Sequence, residues 1–144
     1  MEREIIFRGK RIDNGEWIEG NLLVMGDDYW IVPNYKNAST RSTIEIIAQT
    51  IVRVEKETVG QYTGFKDKNE NRIFDGDVLH CVSDDCEYDY KTKVYCCGNT
   101  ICVDIVGQEG SYTAIDFAYD YWDNENCNVE IIGNIHDNPG LSEV

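Results

Sequence analysis

The chain has 144 residues, of which 42% are hydrophobic and 11% aromatic, a composition that excludes disorder for its bulk and is long enough to bury a core without staples. Its 27 Asp and Glu against 13 Lys and Arg leave a formal charge of −14, which disfavours direct binding to nucleic-acid backbones or anionic membranes. No apolar run approaches the roughly 20 residues of a membrane-spanning helix, and the charged opening Met1-Glu2-Arg3-Glu4 carries the expectation of no secretory signal.

Hydrophobic residues recur with period two along most of the chain, the signature of half-buried strands. Residues 4–10 (EIIFRGK) form a strand candidate, and Asp13-Asn14-Gly15 supplies the hairpin turn to a return strand over 16–24. Met25-Gly26-Asp27-Asp28 turns the chain into a short strand, Tyr29–Val32, which Pro33 stops. Residues 34–43 are polar and loop-like, and Thr50–Val54 resumes as a β-branched strand. After a stretch at 60–65 and a charged loop at 66–71, Arg72-Ile73-Phe74 is a very short strand. Asp75-Gly76-Asp77 then turns into Val78–Val82, as at the corners of small barrels.

Tyr90–Cys97 and Thr100–Val106 read as a hairpin across Gly98-Asn99, a register that sets Cys97 beside Thr100, Cys96 beside Ile101 and Cys102 beside Tyr95. Residues 107–110 read as a turn. The aromatic stretch 111–126 stays open between strand, short helix and loop. Asn128–Ile135 is the last strand, and Pro139-Gly140 ends the ordered core.

Charge is unevenly spread. Residues 1–65 hold 10 acids and 8 bases, a net of −2, whereas residues 66–144 hold 17 acids and 5 bases, a net of −12, with no Lys or Arg beyond Lys93. Such an acidic half either keeps the protein soluble or meets a basic partner.

The six cysteines offer two pairs, Cys81/Cys86 and Cys97/Cys102, at wider spacing than structural zinc knuckles use. The hairpin register sets the second pair out of opposition, so the expectation is reduced, metal-free thiols and no cofactor. His80 and Cys81, adjacent on one strand, point to opposite faces, so they form no nucleophile–base pair. Asp75 and Asp77, with Asp67, could serve as carboxylates for a metal or for acid–base work, but the two that flank Gly76 are read as bonding backbone amides in its turn. Aromatic residues exceed what one core needs, and their neighbours are acidic rather than basic, which fits protein interfaces better than nucleic acid.

Three blocks, in order, carry a resemblance. Residues 3–8 (REIIFR), residues 58–69 (TVGQYTGFKDKN) followed by 73–78 (IFDGDV), and residues 130–141 (EIIGNIHDNPGL) resemble the opening, centre and close of the YopX-like family of bacteriophage and prophage proteins. Gly9, Asn71 and Asp75 depart from the family pattern, and the segments 33–48 and 83–126 follow no fixed one. The resemblance implies an all-β fold, a phage or prophage origin and a bacterial cytoplasmic setting, with no activity to carry over.

The expectation is therefore one all-β (mainly β) YopX-like domain over 1–144, built of small β-barrel-type subdomains with little helix. A seam would divide it into an N-terminal β subdomain, 1–58, and an acidic barrel-like subdomain, 59–144. The function expected is a non-enzymatic phage accessory protein, a protein-binding or oligomeric structural module. The alternative is an acidic nucleic-acid mimic that occupies a basic host protein. A homo-oligomer is expected to use the more neutral half, with Trp17, Tyr29 and Trp30 as interface anchors.

Overall fold

The computed structural model describes residues 4–33, 43–97, 99–105, 108–124 and 126–142, and the chain divides into two compact units, Met1–Tyr62 and Thr63–Val144. In the first, β1 (Phe7–Lys10), β2 (Trp17–Met25), β3 (Asp28–Pro33) and β4 (Val52–Val54) pair antiparallel in the order β4-β3-β2-β1. Turn chemistry sets both hairpins. Gly15 and Gly26 take the positive φ that their turns need, and Glu16 N–H donates to Asn14 Oδ1 at 2.9 Å. Ile31 and Val54 are buried on the inner face. Gly20 lies so close to β3 that a Cβ there would run into the Val32 carbonyl oxygen, backbone that cannot step aside.

A helix, α1 (Thr43–Thr50), connects β3 to β4. It replaces the first residues of the strand expected at 50–54, which begins only at Val52. Most of the expected loop at 34–43 lies outside the described residues. Strand β5 (Gly60–Lys66) starts in the first unit, where Gly60 and Gln61 pair with Arg8 and Phe7 of β1, and continues into the second.

The second unit contains β6 (Arg72–Phe74), β7 (Asp77–Ser83), β8 (Asp89–Lys93), β9 (Tyr95–Cys97), β10 (Thr100–Ile105), β11 (Gln108–Ala114), α2 (Ile115–Asn124) and β12 (Cys127–Asn134). Two three-stranded antiparallel sheets form, β12-β7-β8 and β11-β10-β9. The hairpin of β9 and β10 has the expected register, with Cys97 opposite Thr100, Cys96 opposite Ile101 and Cys102 opposite Tyr95. The open stretch at 111–126 resolves into the end of β11 and the helix α2, and Gln108–Gly110 is strand rather than turn.

On α2, Ile115, Ala118 and Trp122 fall at i, i+3 and i+7, one helical face, and all three are buried. They close over Ile73, Leu79, Val94, Val103 and Val129 to form the core. Fully burying a side chain of this kind contributes roughly 1.5–3 kcal/mol.

The fold is mainly β, as expected, but no closed barrel forms among the described residues. In the first unit β4 does return to the end of β1, through Glu55 N–H to the Lys10 carbonyl at 2.9 Å and an Arg11–Val54 bridge. With three residues, β4 is too short to extend that contact into a closed ladder. In the second unit the strands split between two sheets, which leaves edges that a barrel would lack.

Two aspartates of the central block, Asp67 and Asp77, bond backbone amides, the second as its place beside Gly76 suggests. Asp67, 4% exposed, accepts from the N–H groups of Asn69 and Asn71 through Oδ1, each at 2.9 Å, and from Ile131 N–H through Oδ2 at 3.1 Å. Asp77 Oδ2 accepts from Phe74 N–H at 2.7 Å across Gly76, whose φ of 96° no other residue adopts without strain. Asp67→Ala, which strands these donors in a buried turn, should therefore destabilise the protein by about 2–4 kcal/mol, and Asp67→Asn by roughly half as much. Chemical denaturation checks both, and equal stability of Asp67→Ala and wild type would refute the role.

Candidate functional site

The residues singled out as interface anchors do not form one patch. Trp17 and Trp30 lie on one face of the first unit's sheet, because Trp17 shares its side of β2 with Leu23, the partner of Trp30 in β3. Tyr29 faces the other way, on the side of Ile31 and Val54. Trp17 lies beneath two cations, Arg8 Cζ at 4.7 Å and Lys10 Nζ at 5.7 Å from its ring centroid, while Lys56 Nζ lies 5.6 Å from the Tyr29 ring. Trp30 is half-buried, and its buried indole Nε1 has no hydrogen-bond partner.

A concavity lies on the second unit. A groove of about 350 Å³ runs alongside α2, a volume in the range of small-ligand sites. Tyr90, Ala118 and Trp122 line its inner part, Asp104 of β10 and Thr113 of β11 line a wall, and Phe117 and Tyr121 complete it. The last two follow from helix geometry. They are four residues apart and fall off the buried stripe of Ile115, Ala118 and Trp122, so they project outward, 72% and 37% exposed. None of these lining residues is among the interface anchors expected from the sequence. The usable signal was the split of 115–122 into two apolar faces, legible only once the segment is taken as a helix.

Hydrogen bonds hold this groove in shape. Trp122 Nε1–H donates to the Tyr90 hydroxyl at 2.6 Å, and that hydroxyl meets the Cys81 thiol on the neighbouring strand, where Cys81 and Tyr90 are cross-strand partners. The Tyr95 hydroxyl donates to Asp104 Oδ1 at 2.7 Å, and the Asp104 backbone N–H donates to Thr92 Oγ1 at 2.8 Å. Phe65 stacks on Tyr119 at 4.3 Å, Tyr119 meets Trp122 edge-on at 5.6 Å, and Tyr88 meets Tyr121 at 5.9 Å.

Burial governs the titratable groups here. It pushes the Cys81 thiol up to about 12, against the opposing effect of its contact with Tyr90, and it raises the Tyr90 phenol as well. Cys81 is thus a protonated, inert small hydrophobe. His80, one residue away, points out and meets Asp89 Oδ1 at 2.7 Å, so the adjacent Cys and His do take opposite faces.

Of the two proposed ligand pairs, Cys81 is buried in β7, Cys86 is exposed in a turn at φ 60°, and Cys102 is buried in β10. The Cys97 side chain lies outside the described residues. Among the described residues, no group of three or more His, Cys, Asp or Glu side chains is placed to hold a metal ion.

The Cys81 thiol ionises at 9.0 when free and at about 12 when folded, so its contribution to stability is complete below 9 and is lost as pH rises from there toward 12. Stability should fall over that window in wild type and fall less in Cys81→Ala. At pH 8, iodoacetamide should modify exposed Cys86 well before Cys81, as read by peptide mass spectrometry. Equal rates at the two sites would contradict this environment.

Comparison with known proteins places the chain. It is similar in structure to protein YopX from Bacillus subtilis, with a TM-score of 0.58 and 16% identity over 99% of this chain and 100% of that one. It is also similar to protein EF1440 from Enterococcus faecalis, with a TM-score of 0.53 and 20% identity over the same shares. At these identities the likeness is one of fold. No curated protein matches the sequence. The pattern of the YopX protein family matches residues 6–143, and the chain belongs to that family.

Proposed function

We propose that this YopX-family chain is a non-enzymatic protein-binding module, encoded by a phage or prophage and working in the bacterial cytoplasm, that joins copies of itself through the first unit and offers the second to a basic partner protein. The observation that carries the reading is the outward Phe117, 72% exposed beside Tyr121 on a groove in a unit of net charge −12. Exposed aromatics beside a concavity are what interface anchors look like. The polar groups of the groove are committed to one another, Trp122 to Tyr90 to Cys81 and Tyr95 to Asp104, which supports a shaped binding surface rather than a poised acid–base pair.

Self-association through the first unit is supported by charge and exposed apolar surface. That unit has a net charge near neutrality, −2, and exposes Ile5, Ile12, Val24, Met25 and Ile44. Exposed like charges repel by about 1 kcal/mol per close pair in water, and physiological salt screens them beyond roughly 8 Å. Burying one large aromatic contributes roughly 2–3 kcal/mol, so a few anchors outweigh a charged rim. A second reading, the acidic mimic of a nucleic acid, draws on the fact that nearly all excess charge sits in one unit.

Light scattering at micromolar concentration should report an oligomer that strengthens slightly with salt, and a monomer at both low and high salt would remove self-association. The double variant Phe117→Glu, Tyr121→Glu should keep the oligomer and lose a basic partner captured from host lysate. Unchanged capture of that partner would move its binding site away from the groove.

A further inference from the structure

We propose that Asn14, in the turn between β1 and β2, is a site of spontaneous covalent modification, at which the side-chain amide is lost as ammonia and aspartate and isoaspartate are formed. The inference stands apart from the protein-binding reading and does not rest on it. Asparagine is a thermolabile residue. Its side-chain carbonyl carbon lies within reach of the next residue's backbone nitrogen, and the residue that carries this nitrogen decides how closely it approaches. Asn14 is the one asparagine of the chain that precedes a glycine, which brings no Cβ to the encounter. Every other asparagine is followed by a residue with a side chain, and after Asn138 comes Pro139, whose nitrogen has no proton to lose.

The turn presents this site and restrains it at once. Asn14 and Gly15 are both exposed, and a Cβ built on Gly15 would meet nothing within 4 Å, so water and hydroxide reach the turn. The bond from Glu16 N–H to Asn14 Oδ1, at 2.9 Å, folds the side-chain amide back over its own backbone. It also sets a donor on the oxygen where negative charge develops during attack. A second bond works against the reaction. Gly15 N–H donates to the Arg11 carbonyl at 2.9 Å, and the proton held there is the one that the attacking nitrogen must give up.

The step balances with hydroxide and water alone. Hydroxide takes the Gly15 amide proton, and the nitrogen forms a bond to the Asn14 side-chain carbonyl carbon as that carbon's bond to Nδ2 breaks. The departing nitrogen takes a proton from water and leaves as ammonia, which closes a succinimide ring. Water then opens the ring at either carbonyl and returns aspartate, or isoaspartate, whose main chain is longer by a methylene. Either product adds a negative charge between Asp13 and Glu16, and Arg11 is already bonded to Asp13 at 2.7 Å. The longer main chain of isoaspartate falls beside the Lys10–Trp17 pair, where the ladder of β1 and β2 begins.

The test ages the full chain at mildly alkaline pH and maps its peptides by mass spectrometry, with chromatography separating the aspartate and isoaspartate forms. Asn14 should convert before any other asparagine, to both products, and faster as pH rises. The same chain unfolded in guanidinium chloride should convert roughly two- to tenfold faster, the gain from releasing the bond between Gly15 and Arg11. Asn14→Asp supplies the standard for one product, and its peptide should elute with one of the two new species. The proposal is overturned if another asparagine converts first, if Asn14 stays intact in the folded chain, or if neither new species matches the standard. Equal rates in the folded and unfolded chain overturn the restraint assigned to the Gly15 amide.

Discussion

The bond from the Trp122 indole to the Tyr90 hydroxyl, 2.6 Å long, fixes how α2 lies on the second unit, and the groove depends on that placement. An indole buried to 2% exposure needs an acceptor for its one donor, and the cost of leaving it without one is about 1–3 kcal/mol. Tyr90 provides the acceptor, and its hydroxyl meets the Cys81 thiol of the neighbouring strand, so helix and sheet are locked in a single rotation. Any other rotation of α2 would pull Ile115 and Ala118 out of the core. With that face committed, Phe117 and Tyr121 have no inward position available. Their exposure is a consequence of satisfying Trp122, and the groove follows from the same constraint.

Charge and aromatic surface are arranged differently in the two units. In the first, Arg8 and Lys10 cover Trp17 and Lys56 covers Tyr29, so half-buried rings meet cations from the same chain. In the second, Lys93 lies over Tyr95 at 5.4 Å, and none of the described residues that line the groove is basic. Aromatics with their own cations are already satisfied electrostatically.

How much of this was legible depends on the range of the interaction that decides each element. The hairpins were legible because a turn is local. Asp13-Asn14-Gly15 declares its own backbone, and a two-residue connection fixes the register of Tyr95–Cys102 without reference to anything distant. The role of Asp77 was legible for the same reason, whereas Asp67, which also takes Ile131 N–H from 64 residues away, was not. The two helices were hidden. Thr43–Thr50 and Ile115–Asn124 are rich in β-branched or aromatic residues that fit strands equally well, and packing against the rest of the chain decides them. The groove vanished with α2, since a period-two reading sets Phe117, Tyr119 and Tyr121 on one face, whereas the helix separates Tyr119 from the other two.

The frame and the groove are specified by separate stretches of chain. Gly64, Asp67, Gly76, Asp77 and Asn134 belong to the blocks that carry the family resemblance, and each makes a turn or a strand corner. Gly133 belongs with them, because a Cβ there would press on Asn138 and Leu141 in the closing turn. Tyr90, Asp104, Thr113, Phe117, Ala118, Tyr121 and Trp122 all fall within 83–126, where the resemblance fixes no pattern. Since the turns constrain backbone and the groove is made of side chains on β8, β10, β11 and α2, the lining can change while the turns stay as they are. A scaffold built this way keeps its fold while the surface beside one helix is free to change.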